Sequence, residues 1–312
     1  MEWKKIGILI CTCLIMSVSW AQQPAILNQG KADSQECKEW VESRLAKMTL
    51  KEKIGQLFIH TIPLHDTEAN RKNIRNAVKE YKVGGLLCSN GKLMNQVALT
   101  NYAQELAEIP LLMTFDGEWG LNMRLKEIPA FPRNRVLGSI QDNELLYEYG
   151  KEVARQFREI GVHVNFAPVA DVDNNPLNPV INTRSFGGDP RNVAEKVVAY
   201  SRGLEKGGVL SVSKHFPGHG DTNVDSHKAL PVLNFTRERL DSIEMYPFRQ
   251  AVQAGLGGVM VGHLEVPALS KKPASLSSDI IGILKNEIGF KGLVFTDALE
   301  MKGVSSNANV CA

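Results

Sequence analysis

The chain has 312 residues, of which 43% are hydrophobic and 22% are charged. This balance is typical of a globular protein with a sizeable core, and it excludes a disordered, collagen-like or coiled-coil chain. The formal net charge is only +2, and no run of five like charges occurs. Charge therefore gives no reason to expect a nucleic acid or an anionic membrane as partner, and we predict a neutral small molecule instead.

The first 21 residues have the pattern of an export signal. Two lysines precede an apolar run over 6–18, and small residues follow at Ser19 and Ala21. The run is shorter than the roughly 20 residues that a membrane-spanning helix needs. We predict cleavage after Ala21, a linker over 22–33, a periplasmic or extracellular location, and no stable membrane anchor in the mature chain.

Short apolar runs alternate with helical patterns along the rest of the chain. The runs lie at 56–60, 84–88, 111–116, 162–167, 210–215, 258–263 and 292–297. Helical patterns lie at 34–48, 145–160, 193–206, 240–254 and 278–288, and residues 49–52 have the sequence of a capping box that starts a further helix. This alternation predicts an α/β fold with parallel strands.

Polar residues of catalytic type lie at or just after the ends of six of the seven runs. They are His60, Asp116, Asn165, Lys214 with His215, His263 and Asp297. In an open doubly wound sheet, ligand groups gather at one switch point, whereas every strand of a (β/α)8 barrel contributes to a site at its carboxyl end. The distribution therefore favours a TIM-type (β/α)8 barrel.

The segment 214–227 is the richest in reactive side chains, with three histidines and two aspartates, and its glycines and proline predict a loop. Two chemistries are possible. His227 is a candidate general acid/base, oriented by Asp225. The alternative is a metal-dependent hydrolase whose ligands are His215, His219 and His227 with Asp221 or Asp225. We favour acid/base chemistry and predict neither a metal nor an organic cofactor.

Three further residues are candidates at the predicted barrel mouth. Asp297 ends the last apolar run, where it is either a nucleophile or the cap of a helix that follows. Asp116 is followed by Arg124, and a carboxylate with a nearby guanidinium suits a hydroxyl-rich ligand such as a sugar. Arg184 lies on the loop after the fourth run, where solvation alone is the simpler interpretation.

Five separated motifs, in this order, resemble glycoside hydrolase family 3, in its β-N-acetylglucosaminidase branch. They are 116–124, 184–187, 214–220, 225–227 and 295–301. The resemblance covers about residues 36–304, and we predict one catalytic barrel over 34–304. The Asp-Ser-His element at 225–227 marks the branch.

The resemblance implies a role for each candidate residue. Asp297 is the nucleophile of a retaining mechanism with a covalent glycosyl-enzyme, and His227, paired with Asp225, is the acid/base. The sugar hydroxyls and the N-acetyl group are held by Asp116, Arg124, Arg184, Lys214 and His215. The implied substrates are cell-wall fragments, as in peptidoglycan recycling, or chitooligosaccharides. Because a neutral histidine replaces the usual second carboxylate, we also hypothesise that an anionic substrate or acceptor such as phosphate is tolerated.

Only fifteen residues follow Asp297, and no eighth strand and helix can be found among them. We therefore predict a barrel that lacks its eighth β/α unit, with an irregular tail over 305–312. The first strand is expected to have an unpaired edge and exposed apolar surface. A truncated, inactive sugar-binding remnant is accordingly the main alternative function. The sequence makes no prediction of oligomeric state.

Overall fold

The computed structural model describes residues 24–28 and 34–305. The predicted export signal, parts of the predicted linker and residues 306–312 of the predicted tail lie outside this range. Within the described residues, no helix is long and apolar enough to cross a membrane.

Seven parallel strands form one curled sheet in which each strand pairs with the next along the chain. The strands are β1 (Ile59–Leu64), β2 (Gly85–Gly91), β3 (Leu112–Phe115), β4 (Val164–Asn165), β5 (Leu210–Phe216), β6 (Gly258–Val261) and β7 (Leu293–Thr296). Among the described residues, β7 and β1 are not paired with each other. The predicted fold class, a TIM-type α/β barrel without one unit, is confirmed.

Helices precede the first strand, connect successive strands and follow the last one. They are α1 (Gln35–Lys47), α2 (Leu50–Gly55), α3 (Glu68–Arg75), α4 (Leu93–Leu106), α5 (Asn134–Leu137), α6 (Asn143–Glu159), α7 (Pro190–Lys206), α8 (Arg237–Ser242), α9 (Tyr246–Gln253), α10 (Ser278–Gly282) and α11 (Lys302–Ser305). The predicted capping box starts α2, since the Thr49 side chain accepts from the Glu52 amide and the Glu52 carboxylate accepts from the Thr49 amide. Asp189 caps α7, and Pro190 takes the first helical position, where its missing N–H costs nothing.

The core has two parts. The larger one lies between the sheet and the surrounding helices, and the smaller one fills the barrel interior with Val164, Phe166, Leu210, Val212 and Met260. All seven residues of β5 are buried, as expected for a parallel strand that is covered on both faces. The interior is therefore packed with side chains, which leaves the carboxyl ends of the strands as the place for a site.

Two predicted boundaries were wrong. The first run was predicted to end at His60, but β1 begins at Ile59 and continues to Leu64, because residues up to Gln56 belong to the end of α2. His60 consequently lies near the start of its strand, 3.2 Å from the Asn73 side chain. The single helical pattern at 240–254 is divided between α8 and α9.

Apolar side chains are exposed near both open edges of the sheet. Leu57 and Phe58 precede β1, and Leu293 starts β7. Helix α1, which precedes β1 in the chain, likewise contains no buried residue although it has Trp40, Val41 and Leu45. Leu57 is 84% exposed. These side chains agree with the apolar surface expected from an open barrel.

Candidate active site

Four charged groups meet at the carboxyl ends of β3 and β5. The Lys214 ammonium group donates to Asp116 Oδ1 at 2.9 Å and lies 3.0 Å from Glu118 Oε1. Arg124 donates to Asp116 Oδ2 at 2.8 Å. Glu118 has no exposed surface, and Lys214 is almost completely buried. Strand β5 thus places a buried cation between two carboxylates that follow β3.

Arg184 completes this charge network. It lies in a short 3-10 turn between β4 and α7, and its guanidinium donates to both oxygens of Glu118, at 3.0 Å and 2.8 Å. The Asn134 side chain donates to the backbone carbonyl oxygen of Arg184 at 2.7 Å. The simpler interpretation of Arg184 as a solvated residue was therefore wrong, because a two-point bond to a buried carboxylate fixes its direction.

The network keeps its carboxylates ionised. Burial alone would raise the pKa of Glu118, but the charges of Arg184 and Lys214 outweigh burial and hold that pKa well below its usual range. Asp116 likewise has a lowered pKa, since Lys214 and Arg124 offset its burial. Two carboxylates and three cations give the cluster a formal net charge of +1. The site therefore offers fixed acceptors and donors for a polar ligand.

A buried carboxylate, Asp171, orients His215. The His215 Nδ1 atom lies 2.7 Å from Asp171 Oδ2, and the His215 amide donates to Asp171 Oδ1 at 3.1 Å. Burial alone would raise the pKa of Asp171, but His215 and the hydrogen bonds lower it. The carboxylate fixes a proton on Nδ1 of the ring, so Nε2 is the nitrogen that remains for another contact.

Asp225 and His227 form the predicted pair on the loop that follows β5. The His227 Nδ1 atom lies 2.8 Å from Asp225 Oδ1, which also accepts from the His227 amide at 2.9 Å. These contacts lower the pKa of Asp225 although burial acts in the opposite direction. The His227 side chain is 61% exposed, so its ring is accessible to a ligand.

Asp297 follows β7 directly. Its amide donates to the Val261 carbonyl at 2.9 Å, and its Oδ1 accepts from the Ala298 amide at 2.9 Å. Among the described residues, Oδ2 accepts no hydrogen bond and forms no ion pair. The next helix, α11, begins only at Lys302, so Asp297 is not its cap and that alternative was wrong. The half-buried carboxylate has a lone pair available for chemistry.

The three histidines proposed for a metal site have separate partners. His215 contacts Asp171, His219 contacts Thr222 and Ser226, and His227 contacts Asp225. Asp221, the other candidate ligand, accepts from Arg239 at 2.9 Å. In the part of the chain that the structure describes, no group of three or more His, Cys, Asp or Glu residues is arranged to hold a metal ion.

Two residues of the site were missed by the sequence analysis. Glu118 is two residues from Asp116 in the same motif. Its carboxylate forms ion pairs with two of the three cations of the network, Arg184 and Lys214. Asp171 stands between apolar residues in the loop after β4, all of them buried. An acidic residue in an apolar segment is a signal for a paired buried charge, because unpaired carboxylates are almost never fully buried.

The chain is similar to known proteins in sequence and in fold. The family described as glycosyl hydrolase family 3 N-terminal domain matches residues 49–311. A β-hexosaminidase A of Pseudoalteromonas piscicida is 33% identical over 259 residues, which are 74% of this chain and 43% of that protein.

Two solved structures are also similar. A family 3 β-N-acetylglucosaminidase from Paenibacillus sp. has a TM-score of 0.78 at 39% identity, over 83% of this chain and 51% of that one. The β-glucoside phosphorylase BglX has a TM-score of 0.83 at 26% identity, over 91% of this chain and 53% of that one. The chain thus spans about half the length of each of these three proteins.

Proposed function

Because this chain belongs to glycosyl hydrolase family 3, within the family's N-terminal domain, we propose that it removes β-linked N-acetylglucosamine from cell-wall fragments or chitooligosaccharides. The observation that carries the proposal is the Asp225–His227 pair, on the loop after β5, together with Asp297 after β7. A histidine acid/base with a carboxylate nucleophile accounts for both halves of a retaining glycosidase reaction. The names of the similar hexosaminidase and β-N-acetylglucosaminidase support the choice of sugar.

In the first half of the reaction, Asp297 attacks the anomeric carbon. A bond forms between that carbon and a carboxylate oxygen while the bond to the leaving oxygen breaks, and His227 transfers its ring proton to that oxygen. The Asp225 carboxylate orients the ring through its contact with Nδ1.

In the second half, water attacks the anomeric carbon of the glycosyl-enzyme. His227 takes the proton from this water, and the bond to Asp297 breaks, which regenerates the carboxylate. Two successive inversions give net retention at the anomeric carbon. During both steps, the cluster of Asp116, Arg124, Arg184 and Lys214, with His215, positions the sugar, and its bonds are formed before the ligand arrives.

The substrate assignment predicts a strong preference among nitrophenyl glycosides. We expect kcat/KM for 4-nitrophenyl β-N-acetylglucosaminide to exceed that for the β-glucoside by about 10-fold or more, since a site with polar groups for the N-acetyl group leaves them unpaired when that group is absent. EDTA should leave the rate unchanged. Loss of activity in EDTA would favour the metal-dependent alternative, and a folded chain without turnover would favour the sugar-binding remnant.

Phosphate is a second acceptor that the charges at the site support. After proton transfer the His227 ring is neutral, so it repels an anion less than a carboxylate in its place would, although Asp225 at its Nδ1 keeps its charge. The cluster around Lys214 has a net charge of +1. The similarity to a β-glucoside phosphorylase points the same way. In phosphate buffer we expect N-acetylglucosamine 1-phosphate beside free sugar, measured by phosphorus NMR. Free sugar alone, at a phosphate concentration of about 100 mM, would contradict the hypothesis and leave water as the acceptor.

We further propose that the chain acts outside the cytoplasm, in peptidoglycan recycling or chitin breakdown. The proposal is supported by the export pattern of residues 1–21, which lie outside the described residues. Cell fractionation with an antibody to the chain distinguishes this location from a cytoplasmic one.

A further inference from the structure

His219 lies between the buried Asp171 carboxylate and the loop that contains the Asp225–His227 pair. We propose that His219, through Ser226, is a positioning residue that holds this pair in place for proton transfer. The inference rests on the function proposed above and adds a residue that contacts neither the substrate nor the reacting atoms.

The backbone of His219 is fixed from both directions. Its amide donates to Asp171 Oδ1 at 2.7 Å, which is the same oxygen that accepts from the His215 amide. Its carbonyl accepts from the Asn178 side chain at 2.8 Å. The backbone of His219 is therefore part of the same buried framework that orients His215.

The ring of His219 reaches from this framework to the loop. Its Nδ1 lies 2.8 Å from Thr222 Oγ1, and its Nε2 lies 3.0 Å from Ser226 Oγ. The histidine is only 1% exposed and Ser226 only 2%. Burial and the nearby His215 lower the pKa of His219 to about 4, so the ring is neutral at neutral pH. A neutral imidazole has one donor and one acceptor nitrogen, and one hydroxyl lies at each.

Ser226 lies in the loop that contains the Asp225–His227 pair, and it contacts the segment that follows the nucleophile. It stands between Asp225 and His227 in the sequence, so any displacement of Ser226 moves both members of the pair. Its carbonyl accepts from the Gly303 amide at 3.1 Å, in the segment that follows Asp297. Ser226 is thus held through its side chain by His219, just after the carboxyl end of β5, and through its backbone by the segment that follows Asp297. A misplacement of about 1 Å in a catalytic group is enough to cost roughly 10²-fold in rate.

Two substitutions of His219 separate positioning from packing. In His219→Asn, the side-chain amide occupies the position of Nδ1, so it can contact Thr222 but not Ser226. In His219→Gln, the longer side chain places its amide at the position of Nε2, where it reaches Ser226. We expect His219→Asn and Ser226→Ala to lower kcat by about 10- to 100-fold with little change in KM. His219→Gln should recover most of the rate. Ser201→Ala is the matched control, because the buried Ser201 hydroxyl has no hydrogen-bond partner among the described residues.

The leaving group tests whether proton transfer is the step affected. A 2,4-dinitrophenyl leaving group departs without protonation, so His219→Asn and Ser226→Ala should be nearly as fast as wild type in the glycosylation step with this substrate. A methyl or cyclohexyl glycoside requires the acid and should show the full loss. An equal loss with both kinds of leaving group would overturn the proposal.

Hydrogen exchange gives a readout that does not depend on turnover. The amides of Lys228 and Ala229 donate to the Asp225 carbonyl, and we expect faster exchange of both in Ser226→Ala and His219→Asn than in wild type and Ser201→Ala. Unchanged exchange in both variants would overturn the positioning role. If the wild-type chain has no turnover, the proposed function fails, while the exchange rates still decide whether His219 holds the loop.

Discussion

Replacement of Asp297 by Asn is expected to lower kcat by about 10³-fold or more while the chain stays folded. An amide cannot form the covalent bond to the anomeric carbon, yet it has nearly the same shape as the carboxylate. The side-chain oxygen of the variant can still accept from the Ala298 amide, as Oδ1 of Asp297 does. Binding of N-acetylglucosamine, measured by calorimetry, should change little because the cluster around Lys214 is untouched.

The matched control for this variant is Asp142→Asn. Asp142 caps α6 through a hydrogen bond from the Glu144 amide, and Asn is an equally good cap. We expect wild-type kcat and wild-type stability from this control. If Asp297→Asn retained more than about a tenth of the wild-type kcat, the nucleophile would have to be another residue or water.

Replacement of Glu118 by Gln is expected to destabilise the fold by about 3–5 kcal/mol. The carboxylate accepts hydrogen bonds from Nε and Nη2 of Arg184 and lies 3.0 Å from the Lys214 ammonium group. Its loss leaves Arg184 without its principal counter-charge and leaves Lys214 with Asp116 alone. The free energy of unfolding in urea measures the effect, and the KM for the nitrophenyl substrate should rise because Arg184 and Lys214 lose their fixed positions.

The exposed pair of Glu152 and Arg155 provides the comparison. The two side chains contact each other at 2.7 Å on the surface of α6, where such pairs contribute only about 0–1 kcal/mol. We therefore expect Glu152→Gln to be nearly neutral. A loss below about 1 kcal/mol in Glu118→Gln as well would mean that the buried network does not stabilise the site.

The pH dependence of stability follows from the same carboxylate. Because the pKa of Glu118 is lower in the folded chain than in the unfolded one, its contribution is complete above the unfolded pKa, near 4.5, and is lost as the pH falls below it. The pKa values of Asp116 and Asp171 are also lowered in the folded chain, so their contributions to stability are likewise lost on acidification. Wild type should therefore lose stability on acidification more steeply than Glu118→Gln. Glu205, whose pKa is raised by burial, acts in the opposite direction.

The sequence was sufficient for the fold because strand and helix alternate and every strand is a short apolar run. Parallel strands that are buried on both faces leave this signal whatever their neighbours are. The position of Asp116, Lys214 and Asp297 at or after strand ends was predictable for the same reason. The pairing of Asp225 with His227 needs only two residues of separation, so it too was visible in the sequence.

The contacts that cross between loops were not predictable. Glu118 meets Arg184 over 66 residues of sequence, and Asp171 meets His215 over 44. Both contacts form because the loops after β3, β4 and β5 converge in space. A local sequence pattern does not predict which loop residues meet. The start of β1 was misplaced because Leu57 and Phe58 resemble strand residues although they belong to the turn after α2. The roles of the site residues remain predictions.

The most direct test of the proposed retaining mechanism is to trap the covalent glycosyl-enzyme. The chain is incubated with a 5-fluoro N-acetylglucosaminyl fluoride, and its intact mass is measured before the labelled peptide is sequenced. We expect a mass increase of one sugar, with the label on Asp297, and no label on Asp297→Asn. A label on a different residue, or none on a folded chain that turns over the nitrophenyl substrate, would contradict Asp297 as the nucleophile.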